Sequence, residues 1–303
     1  MRIVSLLPSA TEIVCAVGLE DRLVGVTHEC DYPPSVQRLP KVTKTLIPSD
    51  ATSGEIDRLV SEQLRTTKAL YQLDLPLLKE LRPDVIVTQS LCDVCAVSPN
   101  DVLTALAQLP GTPRVVNLEP QSLDGLFDAI RQVASAVGVS ADPTIRHLRG
   151  RVEAVAMRSA GLSERPRVTF LEWLDPPFSS GHWNPELVRI AGGIEGLGQA
   201  GQPSRRLRWE EVCAWGPEVL CIACCGFTIE RTRQDLAGAR AIAGWQDLTA
   251  VRSGRVYVAD GSQYFNRPGP RLVESLELLA HALHPEHHPL ENGLPALRRL
   301  HDL

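Results

Sequence analysis

The sequence predicts an α/β protein made of two similar lobes, with a ligand cleft between them. Three observations carry that expectation. The phrase Arg82-Pro83-Asp84-Val85-Ile86-Val87-Thr88 is echoed some 130 residues later by Gly216-Pro217-Glu218-Val219-Leu220-Cys221-Ile222. Each copy reads as a helix stopped by proline and then a short apolar strand of the fully buried, parallel-sheet type. Each copy also ends in a turn bearing cysteines, Cys92-Asp93-Val94-Cys95 and Cys224-Cys225. Ligands of open α/β sheets sit outside the carboxyl ends of strands, so both turns are expected to face the gap. Finally, 303 residues exceed the size at which one core stops growing.

The elements follow in order. Ile3 to Leu7 is a first strand, and Ser9 and Glu12, at capping-box spacing, open a helix that Gly18 stops. Leu23 to Thr27 is a second strand, ending in the turn His28-Glu29-Cys30-Asp31-Tyr32-Pro33-Pro34. Ser53 to Leu70 has helical periodicity through Ile56, Leu59, Val60 and Leu64. Strands at Val85 to Thr88 and Arg114 to Asn117 complete a first lobe of residues 1–120.

From Leu123 to Val137 the apolar positions keep helical spacing, and after Gly138 the pattern resumes behind Asp142-Pro143, a cap followed by an N1 proline. Residues 121–162 therefore form the expected link, a helix broken near 138–143. About 38 helical residues would span roughly 55 Å. The second lobe, 163–285, begins with a strand at Arg167 to Trp173 and a Pro- and Gly-rich loop from Asp175 to His182. Helices follow at Pro185 to Ala191 and from Trp209. After the second repeat come a strand at Arg255 to Ala259 and a helix at Arg271 to Leu283. Residues 286–303 read as a peripheral tail.

Composition excludes several functions. Charged residues make up 22% and the net charge is −5, with the arginines and lysines dispersed, so nucleic acid is not an expected partner. No apolar stretch reaches the roughly 18 residues that span a bilayer, so the chain is not membrane-embedded. The N-terminus reads as a strand broken by Pro8 and not as a secretory leader, and eight cysteines among ordinary core residues fit a reducing compartment. A cytoplasmic location is expected, the alternative being periplasmic or extracellular if a leader was removed. Enzyme signatures are missing: there is no Gly-x-Ser-x-Gly elbow, phosphate-binding loop or zinc-protease helix.

The cysteines carry the metal chemistry. Cys92, Cys95, Cys224 and Cys225, with His28 and Cys30, all fall where strands end, and thiolates and imidazole together suit zinc or an iron–sulfur cluster. The alternative for each thiol is a small buried hydrophobe. Cys225 faces away from Cys224 on an extended segment.

Ser5-Leu6-Leu7-Pro8-Ser9-Ala10-Thr11-Glu12, Asp31-Tyr32-Pro33, the Arg82 to Val87 strand, Val188-Arg189-Ile190-Ala191-Gly192-Gly193, Trp209-Glu210-Glu211-Val212, and Gly254-Arg255-Val256-Tyr257 with Pro270-Arg271-Leu272 stand in collinear order. In them the chain resembles the helical-backbone substrate-binding proteins of cobalamin, siderophore and haem ABC importers, and the cobalamin-binding branch most. The resemblance implies two Rossmann-like lobes joined by one long backbone helix, a ligand held between them, and no catalysis. It implies a cobalamin or another corrinoid as the small-molecule ligand, contacted near Tyr32, Gln89, His182, Trp183, Gln263, Tyr264, Phe265 and Arg267. Aromatic faces with hydrogen-bonding groups at the rim suit a broad apolar disc fringed with amides. It also implies docking on an ABC permease through one acid on each lobe. Glu210 matches in the second lobe; around Ser98-Pro99-Asn100-Asp101 no glutamate stands. The competing expectation is a metal or iron–sulfur binding protein, or a redox enzyme, using the cleft cysteines.

Overall fold

The computed structural model describes residues 1–48, 51–66, 70–89, 97, 99–290 and 293–303. The chain divides into two compact units, Met1–Ala51 with Glu55–Pro120 and Asp124–Arg146, and Thr52–Gly54 with Gln121–Leu123 and His147–Leu303. Unit one runs β1 (Ile3–Ser5), α1 (Pro8–Ala16), β2 (Leu23–Val26), β3 (Thr43–Thr45), α2 (Ser53–Thr66), β4 (Tyr71–Leu73), α3 (Leu75–Leu81), β5 (Val85–Gln89), α4 (Pro99–Leu106), β6 (Arg114–Leu118) and α5 (Leu123–Val137). Its main sheet is wholly parallel in the order β2-β1-β5-β6, and β3 and β4 form a separate antiparallel ribbon. β1 and β5 are buried along their whole length, as strands covered on both faces must be. Val4, Leu6, Val42, Leu78, Leu81, Ile86 and Val102 pack into one apolar cluster.

The predicted link forms two helices, α5 and α6 (Asp142–Ala160). Gly138, at φ 77°, ends the first, in the left-handed conformation that glycine reaches without strain.

Unit two continues with β7 (Arg167–Leu174), β8 (Pro177–Ser179), α7 (Asn184–Ile190), β9 (Ile194–Glu195), α8 (Trp209–Trp215), β10 (Val219–Ile222), α9 (Ile229–Arg240), α10 (Thr249–Arg252), β11 (Val256–Val258), α11 (Leu272–Leu283) and β12 (Arg298–Arg299). β9, β7, β10 and β11 are mutually parallel, whereas β8 and β12 add antiparallel edges. β12 draws the C-terminal residues, expected as a peripheral tail, into this sheet. Phe170, Leu187, Leu220, Leu276 and Leu279 are fully buried around it, and Trp245 stacks on Trp209 with ring centroids 5.5 Å apart.

The repeated phrase is one device built twice. Arg82 and Gly216 each end a helix in the left-handed conformation, at φ 44° and 62°, and each returns its N–H to a carbonyl four residues back, on Leu78 and Val212. Proline then prevents the helix from continuing. The acid that follows bonds the start of the neighbouring strand: the Asp84 carboxylate accepts at 2.6 Å from the amide of Arg2, just before β1, and the Glu218 carboxylate accepts at 2.9 Å from the amide of Arg167, the first residue of β7. In the reverse direction the Asp84 and Glu218 amides donate to the Arg2 and Arg167 carbonyls, both at 2.8 Å. These paired bonds fix the parallel register of β5 on β1 and of β10 on β7. Arg82 is exposed and carries a Cβ where Gly216 has none. Arg82→Gly is therefore expected to raise unfolding stability by about 0.5–1 kcal/mol, read as a higher urea midpoint at unchanged slope.

One boundary differs from expectation. Pro8 occupies the first turn of α1 and Leu7 stands at the cap, with no side chain capping it. The Ser9–Glu12 capping box does not form, because both residues already lie inside the helix, where they are buried.

Candidate functional site

The carboxyl ends of the parallel strands are where this topology places a ligand, and each unit is described on its own there. In unit one β2 leads into Thr27 and His28. The His28 ring lies 2.8 Å by Nδ1 from the Thr43 hydroxyl and packs against Tyr71, ring centroids 5.7 Å apart. Burial, helped by the Lys41 ammonium, holds its pKa below the ordinary histidine value. Tyr32 is exposed and precedes a cis proline. Gln89 ends β5; its Oε1 and the Thr88 hydroxyl are buried with no hydrogen-bond partner among the described residues. Cys30 turns inward instead, with its sulfur 3.0 Å from the Thr11 hydroxyl on α1.

In unit two, two acids, Glu172 on β7 and Glu195 on β9, organise the loops that follow β8 and β9. Glu195 accepts from the amides of Phe170, Leu197 and Gly198 and from the Ser180 hydroxyl at 2.9–3.2 Å. Glu172 Oε1 accepts from the Gly181 amide at 2.9 Å and the Asn184 side-chain amide at 2.8 Å. The residue between them, His182, is thereby held at φ 50°, a conformation that costs a non-glycine residue about 1 kcal/mol or more. The His182 amide donates to the Gln202 carbonyl, its ring stacks on Trp183 at 5.5 Å, and burial lowers its pKa.

Trp183 and Phe265 are both buried. The Trp183 indole N–H donates to the Phe265 carbonyl at 2.6 Å, and Phe265, at φ 70°, packs its ring on Phe170 and donates its amide N–H to the Ser275 hydroxyl oxygen. The pair thus ties the loop after β8 to the loop after β11. That second loop is an Asp260-centred turn, in which the carboxylate accepts from the Ser262 and Gln263 amides. Gln263 is engaged at both ends, donating to Asp260 and accepting from Arg271. Tyr264 has the Arg271 guanidinium 5.6 Å from its ring centre, and Arg267 is half-buried beside it.

Glu172 also sets a pH response. Burial, the dominant cause, raises its carboxyl from 4.5 to about 7, with the hydrogen bonds from Asn184 and Gly181 opposing. The folded state therefore binds more protons than the unfolded chain between those values. The stability this supplies is complete below about pH 4.5 and is lost as pH rises through about 7, an effect on the order of 2–3 kcal/mol. Glu172→Gln, whose amide oxygen can keep both bonds, is expected to remove that slope. Denaturant midpoints of the two proteins from pH 5 to 8 check it; parallel curves contradict it.

The thiols separate. Cys224 is fully buried and burial pushes its pKa up to about 12, so it is a core thiol and not a thiolate at an open strand end. Cys225 is exposed, in the turn that the Phe227 amide closes on the Cys224 carbonyl, and not on the extended segment expected. Cys92 and Cys95 lie outside the described residues. Among the described residues no group of three or more His, Cys, Asp or Glu side chains is placed to hold a metal ion.

Sequence reasoning missed Trp173, Phe227 and Arg231. Trp173 and Phe227 pack with centroids 4.7 Å apart, and the Arg231 guanidinium lies 4.2 Å from the Phe227 ring centre. The signal was present: Trp173 closes the β7 pattern and Phe227 directly follows the Cys224-Cys225-Gly226 turn. Glu210 is exposed in the first turn of α8, beside Glu211, which Arg205 and the Arg208 amide engage. Two open surface hollows, one beside Leu23 and Val36 and the other beside Val116 and Ser135, are lined by none of the residues expected at the ligand site.

A model of the family described as periplasmic binding protein matches residues 3–262. The vitamin B12-binding protein of Vibrio cholerae is 26% identical over 285 residues, covering 91% of this chain and 86% of that protein. The ABC transporter substrate-binding lipoprotein YvrC of Bacillus subtilis is 24% identical over 296 residues, covering 94% and 80%. Among solved structures, the apo periplasmic heme-binding protein RhuT from Roseiflexus sp. RS-1 superposes with a TM-score of 0.70 at 24% identity, covering 94% of this chain and 98% of that one, which shows the same fold. These findings overturn the cytoplasmic placement: the matching proteins are periplasmic or lipoprotein binding proteins of importers.

Proposed function

The chain belongs to the periplasmic binding protein family, a family of non-catalytic solute-binding proteins, and on that premise we propose that its solute is a corrinoid of the cobalamin type. The observation that carries this reading is the loop pair of unit two. Trp183 and Phe265 are spent internally as a brace, which leaves the half-buried His182, Gln263, Tyr264 and Arg267 as a polar and aromatic rim on a stiff base. Such a rim matches a ligand whose face is apolar and whose edge carries amides. The likeness to the Vibrio cholerae protein, named for vitamin B12, points the same way.

Delivery to an ABC permease is part of the proposal, with Glu210 as the docking acid of unit two. No helix among the described residues is long and apolar enough to cross a membrane, so a separate permease would provide passage.

Calorimetric titration of the purified chain with cyanocobalamin, dicyanocobinamide and hemin tests the reading. One-to-one binding of both corrinoids, with Kd in the micromolar range or tighter (about −8 kcal/mol), is expected. Binding of hemin alone would replace the corrinoid with a porphyrin, and binding of none would end the proposal.

A further inference from the structure

His28 sits at the carboxyl end of β2 within a closed set of hydroxyl contacts whose hydrogens can be counted. The Thr43 hydroxyl oxygen lies 2.7 Å from the Thr27 hydroxyl, 2.8 Å from His28 Nδ1 and 3.2 Å from the His28 amide, which donates to it. A hydroxyl has one hydrogen to give and two lone pairs. Thr27 and Thr43 are buried, so water does not stand in for a missing partner.

One ordering satisfies every hydrogen. Thr27 donates to Thr43, Thr43 donates to His28 Nδ1, and Thr43 fills its second lone pair with the His28 amide. Nδ1 is then an acceptor without a proton, so the ring proton is on Nε2. The reverse ordering puts a proton on Nδ1 and turns the Thr43 hydrogen toward Thr27. The Thr27 hydrogen then has no acceptor, since its other neighbour, Nδ1 at 3.4 Å, would itself be carrying a proton. An orphaned buried hydroxyl hydrogen costs about 1–3 kcal/mol. The protonated imidazolium fails by the same count.

Nε2 makes no hydrogen bond among the described residues and is not an enclosed atom, so the Nε2–H is open. We propose that His28 serves the bound solute as a hydrogen-bond donor, its Nε2–H taking a carbonyl or carboxylate oxygen at the solute's rim, and that it does not ligate a metal. A metal-bound imidazole needs the opposite pattern, a bare nitrogen toward the metal and the other nitrogen donating behind it. The identity of the solute rests on the corrinoid reading, in which the acceptor is a side-chain amide oxygen of the macrocycle.

Long-range proton–nitrogen correlation spectra of the full chain labelled with ¹⁵N-histidine test the assignment, with His28→Gln identifying the signal. A protonated Nε2 with a bare Nδ1 is expected; a protonated Nδ1 overturns the proposal whatever the solute. In cyanocobalamin titrations His28→Ala is expected to weaken binding about tenfold, while His28→Gln, which keeps an N–H near the Nε2 position, stays within about threefold of wild type. Equal affinity for wild type and His28→Ala would overturn the contact. So would a nitrogen splitting in the electron paramagnetic resonance spectrum of bound cob(II)inamide that vanishes in His28→Gln, since that means cobalt ligation. A wild-type protein that binds neither corrinoid defeats the corrinoid reading, and the ring-nitrogen spectra then decide the donor assignment alone.

Discussion

Trp183→Ala is expected to lower the stability of unit two by about 3–5 kcal/mol, the range for emptying a buried tryptophan site, and to weaken solute binding along with it. The indole is buried, and its N–H gives the Phe265 carbonyl a 2.6 Å hydrogen bond. Removal leaves a cavity and an unpaired carbonyl inside a strained loop, because Phe265 is held at φ 70°. Trp183→Phe separates the two effects. It fills much of the space but cannot donate, so the remaining loss, about 1–3 kcal/mol, is that of the orphaned carbonyl. Denaturant unfolding of the three proteins, followed by circular dichroism, reads both numbers. Equal stability of Trp183→Phe and wild type would mean that the bond does not brace the loop.

Gly261→Ala is the second large effect. A methyl group at Gly261 would collide with the Cys224 carbonyl oxygen and lie 2.7 Å from the Cys224 carbonyl carbon, contacts with backbone that cannot swing aside. The Asn266 side-chain amide donates at 2.8 Å to the Ala223 carbonyl and at 3.2 Å to that of Gly261, so the turn is fixed from below as well. Overpacking of this kind costs about 3 kcal/mol. The turn must shift, carrying Gln263, Tyr264 and Arg267 with it. Solute affinity is expected to fall by more than the stability loss explains: at a temperature where the variant is fully folded, calorimetric titration should still show weakened binding. Wild-type affinity in the folded variant would remove this turn from the site.

Much of the fold was legible because its cause is local. The left-handed cap, the proline and the acid of Arg82-Pro83-Asp84 and Gly216-Pro217-Glu218 each do a nameable job within a few residues. α9 was not legible for the opposite reason. Of its twelve residues only Thr232, Leu236 and Ala239 are buried, so no apolar stripe announces a helix, and its cap, Thr228, follows a turn that draws attention to cysteines. β3 and β4 escaped because three-residue strands carry too little alternation to be seen.

The family resemblance points to Trp183, Gln263, Tyr264, Phe265 and Arg267 together; that Trp183 and Phe265 are buried is not visible locally, since the Trp183 indole N–H bonds a carbonyl 82 residues away. Cys224 looked like an exposed strand end because β10 ends at Ile222. The enclosing partners, Gly261 and Asn266, come from a loop distant in sequence. The tautomer proposed for His28 depends on hydroxyls at Thr27 and Thr43, the latter on a strand that the periodicity does not reveal.

Hydrogen–deuterium exchange with and without saturating cyanocobalamin tests most directly the claim that the loops following β8 and β11 of unit two form the solute's seat. Slower exchange in peptides covering 181–184 and 260–268, with the helices behind them unchanged, is the predicted result. Binding that leaves both loops at their free rates, or protection centred on a different face, would contradict the account.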